Sequence, residues 1–515
     1  MLHRSVAHGR DLAPPSRRAA LLPLLPFVLL AAFVALNPVG FIGGDADDLQ
    51  YLNAARCWVD HGPCLPLDHW QGRWPIIAPL AAAISWLGEA RWVVALPTLI
   101  ASLACLALVY GIGRQLFDRT AAVIATSLLA IAPVFVLQSL DPNVDSIELA
   151  FVLGGFAAML RGRDGDSLLW PALCGLSFGL ALQSRETALA IAPMAIIAFA
   201  LAHPLRRGPK PWLIGAAAVT LPFAVEAILF AVQTGDPLWR RRLSVGHAQL
   251  VTTELQGRSH VSGSPFFNRE LIENWRHEPG LSLHWTVDGL VNLIVNPRTA
   301  GLFVLLPFLW VMCRAYLTEQ QRRIVLFLAL GAIIHAAIII YLFAIDPKPR
   351  MMLPAVTAAA LALGPILAAL LRERVVFAWA LLFGLSSISA ANILSGYRSD
   401  RADRIAASWI QPDGHRIETA RQTHRRLIFQ PGVRSLAPMT ANRPWLMLQV
   451  NNSCGGWLDD VGIDRRWLPI ERIASLGSYP PAFVERQAHL CLFRYADPRA
   501  DAALRRALGT REWSF

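Results

Sequence analysis

The sequence predicts an all-α polytopic membrane bundle of about eleven transmembrane helices, with interfacial helices in its first outside loop and a small α/β domain at its C-terminal end. Three observations carry that expectation. Only 16% of the 515 residues are charged and 55% are hydrophobic, against roughly 25% charged in soluble domains. The apolar residues fall in runs of about 20, the length a helix needs to cross the hydrocarbon layer. The arginines collect in short loops between alternate runs, as cytoplasmic loops of membrane proteins do.

The runs lie near 19–38, 91–111, 120–139, 146–160, 168–183, 187–203, 211–232, 299–317, 324–344, 351–371 and 375–396. Residues 1–18 carry Arg4, Arg10, Arg17 and Arg18 with Asp11 as the only acid, which predicts a cytoplasmic N-terminal tail. The run after it has no small-residue cleavage site and is expected to stay as an anchor. Alternation from there places Arg114 and Arg119, Arg161 and Arg163, Arg206, Arg207 and Lys210, Arg314, Arg322 and Arg323, and Arg372 and Arg374 on the cytoplasmic side. The net charge of +11 is explained by this orientation, so no nucleic-acid partner is expected. The predicted location is the inner (plasma) membrane, with the functional face and the C-terminal domain periplasmic or extracellular.

The membrane domain reads as 19–396, including an outside loop at 233–298, and the outside domain as 397–515. Charged residues become frequent beyond Tyr397, where Pro444–Asn452 and His489–Tyr495 read as strands and Ala500–Leu508 as a helix. No catalytic motif is evident there. Four cysteines fall on the oxidising side, and Cys57 with Cys64 and Cys454 with Cys491 are candidate disulfides. Cys105, Cys174 and Cys313 lie in or beside runs and read as packing residues.

The candidate site gathers on the outside face. Asp45, Asp47 and Asp48 follow the first run directly, where a carboxylate at the membrane surface can stay ionised and act as a base. Capping of the helix that begins near Leu49 explains one such acid equally well. Asp141 and Asp145 occupy the next outside loop, spaced to share a helical face. Arg73 stands between Trp70 and Trp74, either as a ligand group or as a snorkelling cation in an aromatic belt. Ser184-Arg185-Glu186 breaks an apolar stretch as a structural ion pair or a ligand clamp. Lys348 and Arg350, set among Pro347 and Pro349, place two cations on the side where Lys and Arg are usually sparse. Arg73, Arg185, Lys348 and Arg350 together suit a lipid-borne phosphate. The histidines of 233–298 are irregularly spaced, so no metal site is read from the sequence, although a divalent metal is compatible with the acids.

With these residues in place, the chain resembles the membrane-embedded C-type glycosyltransferases of the protein O-mannosyltransferase and lipid A aminoarabinose transferase superfamily. The family's Asp-acidic-x-x-Tyr element is matched by Asp47-Asp48-Leu49-Gln50-Tyr51, which puts the catalytic base on Asp47 and a substrate contact on Tyr51. Its Lys-Pro-Pro element is echoed by Arg73-Trp74-Pro75, with Arg for Lys and Trp for the first Pro, which adds Trp74 to the substrate contacts. Leu140-Asp141-Pro142 is similar to the second-loop acidic element, and Asp145 fits it equally well by distance to the run. Pro349-Arg350-Met351-Met352-Leu353-Pro354 is similar to Pro-Arg-Tyr-x-x-Pro without the Tyr. The resemblance covers about residues 20–396. It implies catalytic carboxylates among Asp47, Asp48, Asp141 and Asp145. It also implies a polyprenyl-phosphate-linked sugar as donor, a lipid, glycan or protein as acceptor, and inversion at the anomeric carbon.

A transporter or lipid flippase is the alternative class, since it would use the same charges as a pathway. Its acids would lie mid-span, and Glu226 is the one acid that falls clearly within a run.

Overall fold

In a computed structural model of the chain, the residues described are 21–36, 46–163, 167–204, 208–245, 290–343 except 292, 349–395 and, toward the C-terminus, 405–406, 408–409, 417–419, 427, 437–438, 445–450, 453–476 and 488–508. Asp45, Lys348 and most of the 233–298 loop lie outside them.

Each expected apolar run forms helix over most of its described residues. The helices are α1 (Leu25–Leu36), α2 (Ala46–His61), α3 (Trp74–Leu87), α4 (Arg91–Leu116), α5 (Arg119–Ile131), α6 (Pro133–Leu140), α7 (Asp145–Gly162), α8 (Leu169–Ser184), α9 (Ala192–Ala202), α10 (Lys210–Thr234), α11 (Leu302–Cys313), α12 (Glu319–Ala337), α13 (Leu353–Glu373) and α14 (Val375–Ser395). Short 3₁₀ turns at Glu186–Ile191 and Pro349–Met352 lead into α9 and α13.

Among the described residues, fewer helices are individually long and apolar enough to span than there are runs. Among the described residues, five helices are long and apolar enough to cross a membrane: Arg91–Leu116, Lys210–Thr234, Glu319–Leu342, Pro349–Glu373 and Val375–Ile393. A sixth results if α5 and α6 form one span bent by 65°. That bend falls where Pro133, lacking an N–H, interrupts the helical ladder. The runs at the start of the chain and before, between and after these helices form shorter apolar helices, such as Leu22–Ala35, Leu169–Ser184, Glu186–Ala202 and Leu302–Tyr316.

The Pro349–Glu373 helix is the axis of the bundle, with 89% of its apolar window buried against 22% for Lys210–Thr234. Helix α13 packs on α5, α11 and α12, and its alanine-rich sequence lets backbones approach closely. A Cβ at Gly364 would meet the Ala121 carbonyl oxygen at 2.6 Å. The same device joins α8 to α10, where Gly175 lies on Gly215 and a Cβ at Gly179 would stand 2.5 Å from the Val219 carbonyl oxygen.

The first loop forms its own cluster of α2, α3 and the start of α4, built on Leu52, Ile77, Leu80 and Val94. The Cys57–Cys64 disulfide, with Cα atoms 6.1 Å apart, closes the end of α2, and an ion pair from Arg56 to Glu89 ties that helix to the α3–α4 turn.

In the C-terminal region, strands β1 (Ile417–Thr419), β2 (Ala437–Pro438), β3 (Trp445–Val450), β4 (Ile470–Leu476) and β5 (Ala488–Arg494) form a mixed sheet in the order β2-β1-β3-β5-β4. The β2-β1-β3 side is parallel and the β3-β5-β4 side antiparallel, with Leu448 opposite Cys491. Helices α15 (Cys454–Asp460) and α16 (Arg499–Leu508) accompany it, and the Cys454–Cys491 disulfide links α15 to β5. One apolar cluster combines Leu446, Leu448 and Phe493 of the sheet with Leu458 and Leu504 of these helices.

Replacing Gly179 by Leu drives a side chain into the α10 backbone. The expected loss is about 1–3 kcal/mol of stability, the usual scale of overpacking. Thermal unfolding of the detergent-solubilised protein checks it, with Gly179→Ala expected to lose less.

Candidate active site

Five places in the chain supply the site: the first turns of α2, the turn into α3, the α6–α7 junction, the end of α8, and the 3₁₀ turn before α13. Asp47 and Asp48 open α2, where the unpaired N–H groups of the first turn favour negative charge. Tyr51 follows one helical turn after Asp47 and is fully buried. Its phenol oxygen accepts a 2.5 Å hydrogen bond from Arg73 Nη1. Burial pushes the phenol well above its usual range; the Arg73 charge opposes this and the Asp47 charge adds to it. The hydroxyl therefore stays protonated at neutral pH and keeps its own proton to donate.

Arg73 precedes α3, with Pro75 in the first helical turn. Burial works against its charge, but Tyr51, Glu186 and Asp47 outweigh it and hold the guanidinium firmly protonated. Besides Tyr51, its Nη2 lies 2.8 Å from His69 Nε2 and 3.7 Å from Glu186 Oε2. From the far end of the chain, Arg350 Nη2 meets Asp47 Oδ2 at 3.1 Å.

The α6–α7 junction is held by small polar side chains. Ser146 Oγ donates to the Gln138 carbonyl at 3.0 Å, and Ser102 Oγ donates to Ser146 Oγ at 3.0 Å. Asp141 ends α6, its carbonyl accepting from the Asn143 N–H at 2.7 Å. Asp145 begins α7 and forms a buried ion pair with Arg185. Glu148, one turn further, is buried as well. Asp145 Oδ2, Asn143 Nδ2 and Trp74 Nε1 are buried without a hydrogen-bond partner among the described residues, and such groups favour a ligand that completes their bonding.

Several expectations are thereby refined. Asp47, Tyr51, Arg73 and Arg350 are brought together, and Arg185 lies close enough to act on the Tyr51 phenol. Asp47 does not face Arg350 across a gap wide enough for a sugar, because opposite charges on facing elements close directly on one another. Arg185 pairs with Asp145 and not with its neighbour Glu186. Asp48 is fully buried and accepts from the Leu49 N–H at 2.9 Å. Lys348 falls outside the described residues. Among those residues, no group of three or more His, Cys, Asp or Glu is arranged to hold a metal ion.

Sequence reasoning missed Arg240, which reaches Glu186 at 3.1 Å and Glu226 at 3.0 Å. It stands in a run with Arg241 and Arg242, and nothing local marks which of the three turns inward. His69 also belongs to the site through Arg73.

Residues 74–228 match the family described as dolichyl-phosphate-mannose-protein mannosyltransferase. No curated protein matches the chain in sequence. In structure it is similar to ArnT from Cupriavidus metallidurans in the apo state, with TM-score 0.51 and 13% identity over 92% of this chain and 97% of that one. It is also similar to the same protein bound to undecaprenyl phosphate, with TM-score 0.53 and 13% identity over 93% and 98%. The oligosaccharyltransferase AglB from Archaeoglobus fulgidus, in complex with an inhibitory peptide and a dolichol-phosphate, is similar with TM-score 0.50 and 12% identity over 95% and 75%. The chain thus has the fold of membrane C-type glycosyltransferases and resembles the O-mannosyltransferase and ArnT superfamily.

The Asp145–Arg185 pair yields a stability test. Asp145→Ala leaves Arg185 buried without its carboxylate and is expected to destabilise by about 3–5 kcal/mol. A combined Asp145→Leu and Arg185→Met change removes both charges and is expected to recover most of that loss, as read by thermal unfolding.

Proposed function

We propose that this chain is an integral-membrane glycosyltransferase. It moves a sugar from a polyprenyl-phosphate donor to a lipid, polysaccharide or protein acceptor on the periplasmic face, with Asp47 as general base. The observation that carries the reading is the position of Asp47 at the head of α2, held by Arg350 beside the buried Tyr51–Arg73 pair. A base and cations stand within one small site, as displacement of a phosphate by a hydroxyl or amine requires. ArnT and AglB, which share the fold, were solved with undecaprenyl phosphate and dolichol-phosphate, and this supports a lipid-phosphate donor.

In the proposed reaction the acceptor oxygen or nitrogen attacks the anomeric carbon from the face opposite the phosphate, and its proton passes to Asp47. The bond from the anomeric carbon to the phosphate oxygen breaks, and polyprenyl phosphate departs with the electron pair. Configuration at that carbon inverts. Arg73, Arg185, Lys348 and Arg350 take up the charge of the leaving phosphate. Arg350 exchanges Asp47 for the phosphate as the donor enters, which frees the carboxylate to accept the proton. Asp141 or Asp145 orients the acceptor, Asp48 steadies the start of α2, and Tyr51 and Trp74 present an O–H and an N–H to the substrate.

The transporter reading depended on Glu226 as an acid within the bilayer. Its pairing with Arg240 at 3.0 Å gives that acid a structural partner and favours the enzyme. The proposal includes eleven spans, a cytoplasmic N-terminus, and a domain at 397–515 on the periplasmic side. A phosphatase fused after Phe515 is expected to be active; an inactive fusion together with an active cytoplasmic reporter there would invert the orientation and remove the site from the periplasmic face.

Asp47→Asn is expected to lower sugar transfer by about 10²–10⁴-fold, the usual contribution of a general base. Donor binding and protein level are expected to stay near normal. Transfer is read in membranes supplied with lipid-linked donor, after mass spectrometry of envelope glycolipids, polysaccharides and glycoproteins from a deletion strain has identified the product. Near-normal turnover by Asp47→Asn would take this carboxylate out of the chemistry.

A further inference from the structure

Arg240 belongs to none of the motifs that carry the proposed chemistry, yet its guanidinium binds four groups from three other parts of the chain. Its Nη1 donates to Glu226 Oε1 at 3.0 Å and to the Gly72 carbonyl at 3.4 Å. Its Nη2 donates to Glu186 Oε1 at 3.1 Å and to the Gln183 carbonyl at 3.0 Å. The chain that carries it is anchored beside the site. Gly235 ends α10 in the left-handed region at φ 73°, and Trp239 Nε1 donates to the Pro66 carbonyl at 3.0 Å.

The other oxygen of Glu186 lies 3.7 Å from Arg73 Nη2, beyond hydrogen-bond distance. One carboxylate therefore stands between two guanidiniums, hydrogen-bonded to Arg240 and at ion-pair distance from Arg73 without a hydrogen bond to it. Glu186 is half-exposed, whereas Arg73 is buried and hydrogen-bonded to Tyr51. Among the described residues, Arg73 is the guanidinium besides Arg240 that forms an ion pair with Glu186.

We propose that Arg240 is a positioning residue that keeps Glu186 from closing to a hydrogen bond on Arg73, so that the Arg73 N–H groups stay available to a polyprenyl-phosphate group; this rests on the reading of Arg73 as a phosphate-binding residue. Arg240 does so by holding Glu186 in one arm of its planar fork and Glu226 in the other, a geometry that lysine cannot reproduce. It also joins the segment after α10 to the first loop, which places that segment at the phosphate end of the site.

The test measures binding of undecaprenyl phosphate to the purified full-length protein in a Glu226→Gln background, so that removing Arg240 strands no buried charge. Arg240→Gln is expected to weaken binding about ten-fold, the scale of one charge-assisted hydrogen bond. Adding Glu186→Gln to it is expected to restore the affinity to near that of the background. A purely structural Arg240 gives the opposite sign, since losing a further partner then weakens binding more or leaves it weak. Absence of rescue, or unchanged binding by Arg240→Gln, overturns the positioning role. If Arg240→Gln does not fold, Arg240→Lys takes its place, with weakened binding rescued by Glu186→Gln supporting the role and unchanged binding overturning it. Background protein that binds no undecaprenyl phosphate overturns the donor reading as well, whereas normal binding that ignores Arg240 overturns this role alone.

Discussion

Asp47 and Arg350 are 303 positions apart in the chain and meet at 3.1 Å, each side chain almost wholly buried. In an interior of low dielectric, an ionised group without a partner is strongly unfavourable, so such a contact constrains everything that carries it. Helix α2 must begin where α13 begins, and the 3₁₀ turn at Pro349–Met352 must present its arginine toward the first loop. The packing of α13 at the centre of the bundle meets that demand, because a central helix brings its leading turn within reach of the surrounding elements.

The same rule organises the other charges. Arg73 takes Tyr51, His69 and, at longer range, Glu186; Arg185 takes Asp145; Arg240 takes Glu186 and Glu226. Each arginine contacts an element other than its own, so the ion pairs act as ties between α2, the loop before α3, α7, the end of α8 and α10. A site made of ties is rigid where charges meet. In the proposed reaction a donor phosphate competes with the carboxylates for the same guanidiniums.

Close helix packing supplies the geometry that the charges need. Gly175 and Gly179 let α10 settle on α8, which brings Glu226 and the following Arg240 beside Gln183 and Glu186 at the end of α8. Gly364 does the same for α13 against α5. Pro133 breaks α5 from α6 by 65° and leads the chain into the buried Asp141–Asp145 junction. Residues with no chemistry of their own thus set which charged residues meet.

Much of this was legible in the sequence because it depends on local quantities. Hydrophobic run length placed a helix at every expected position, and the change of composition at Tyr397 announced the mixed sheet with its strands near Trp445–Val450 and Ala488–Arg494. The Cys57–Cys64 and Cys454–Cys491 pairs were expected from the reading that places all four cysteines on the oxidising side, and both disulfides form. Partner choice was not legible. Arg185 has Glu186 next to it in sequence yet binds Asp145, forty positions away; Arg350 closes onto Asp47; and Arg240, not Arg241 or Arg242, turns inward. The reason is that periodicity and composition act over the length of one helix, whereas the pairing of buried charges is decided by which helix ends the packed bundle brings within a few ångströms of one another, and only the tertiary structure holds that information.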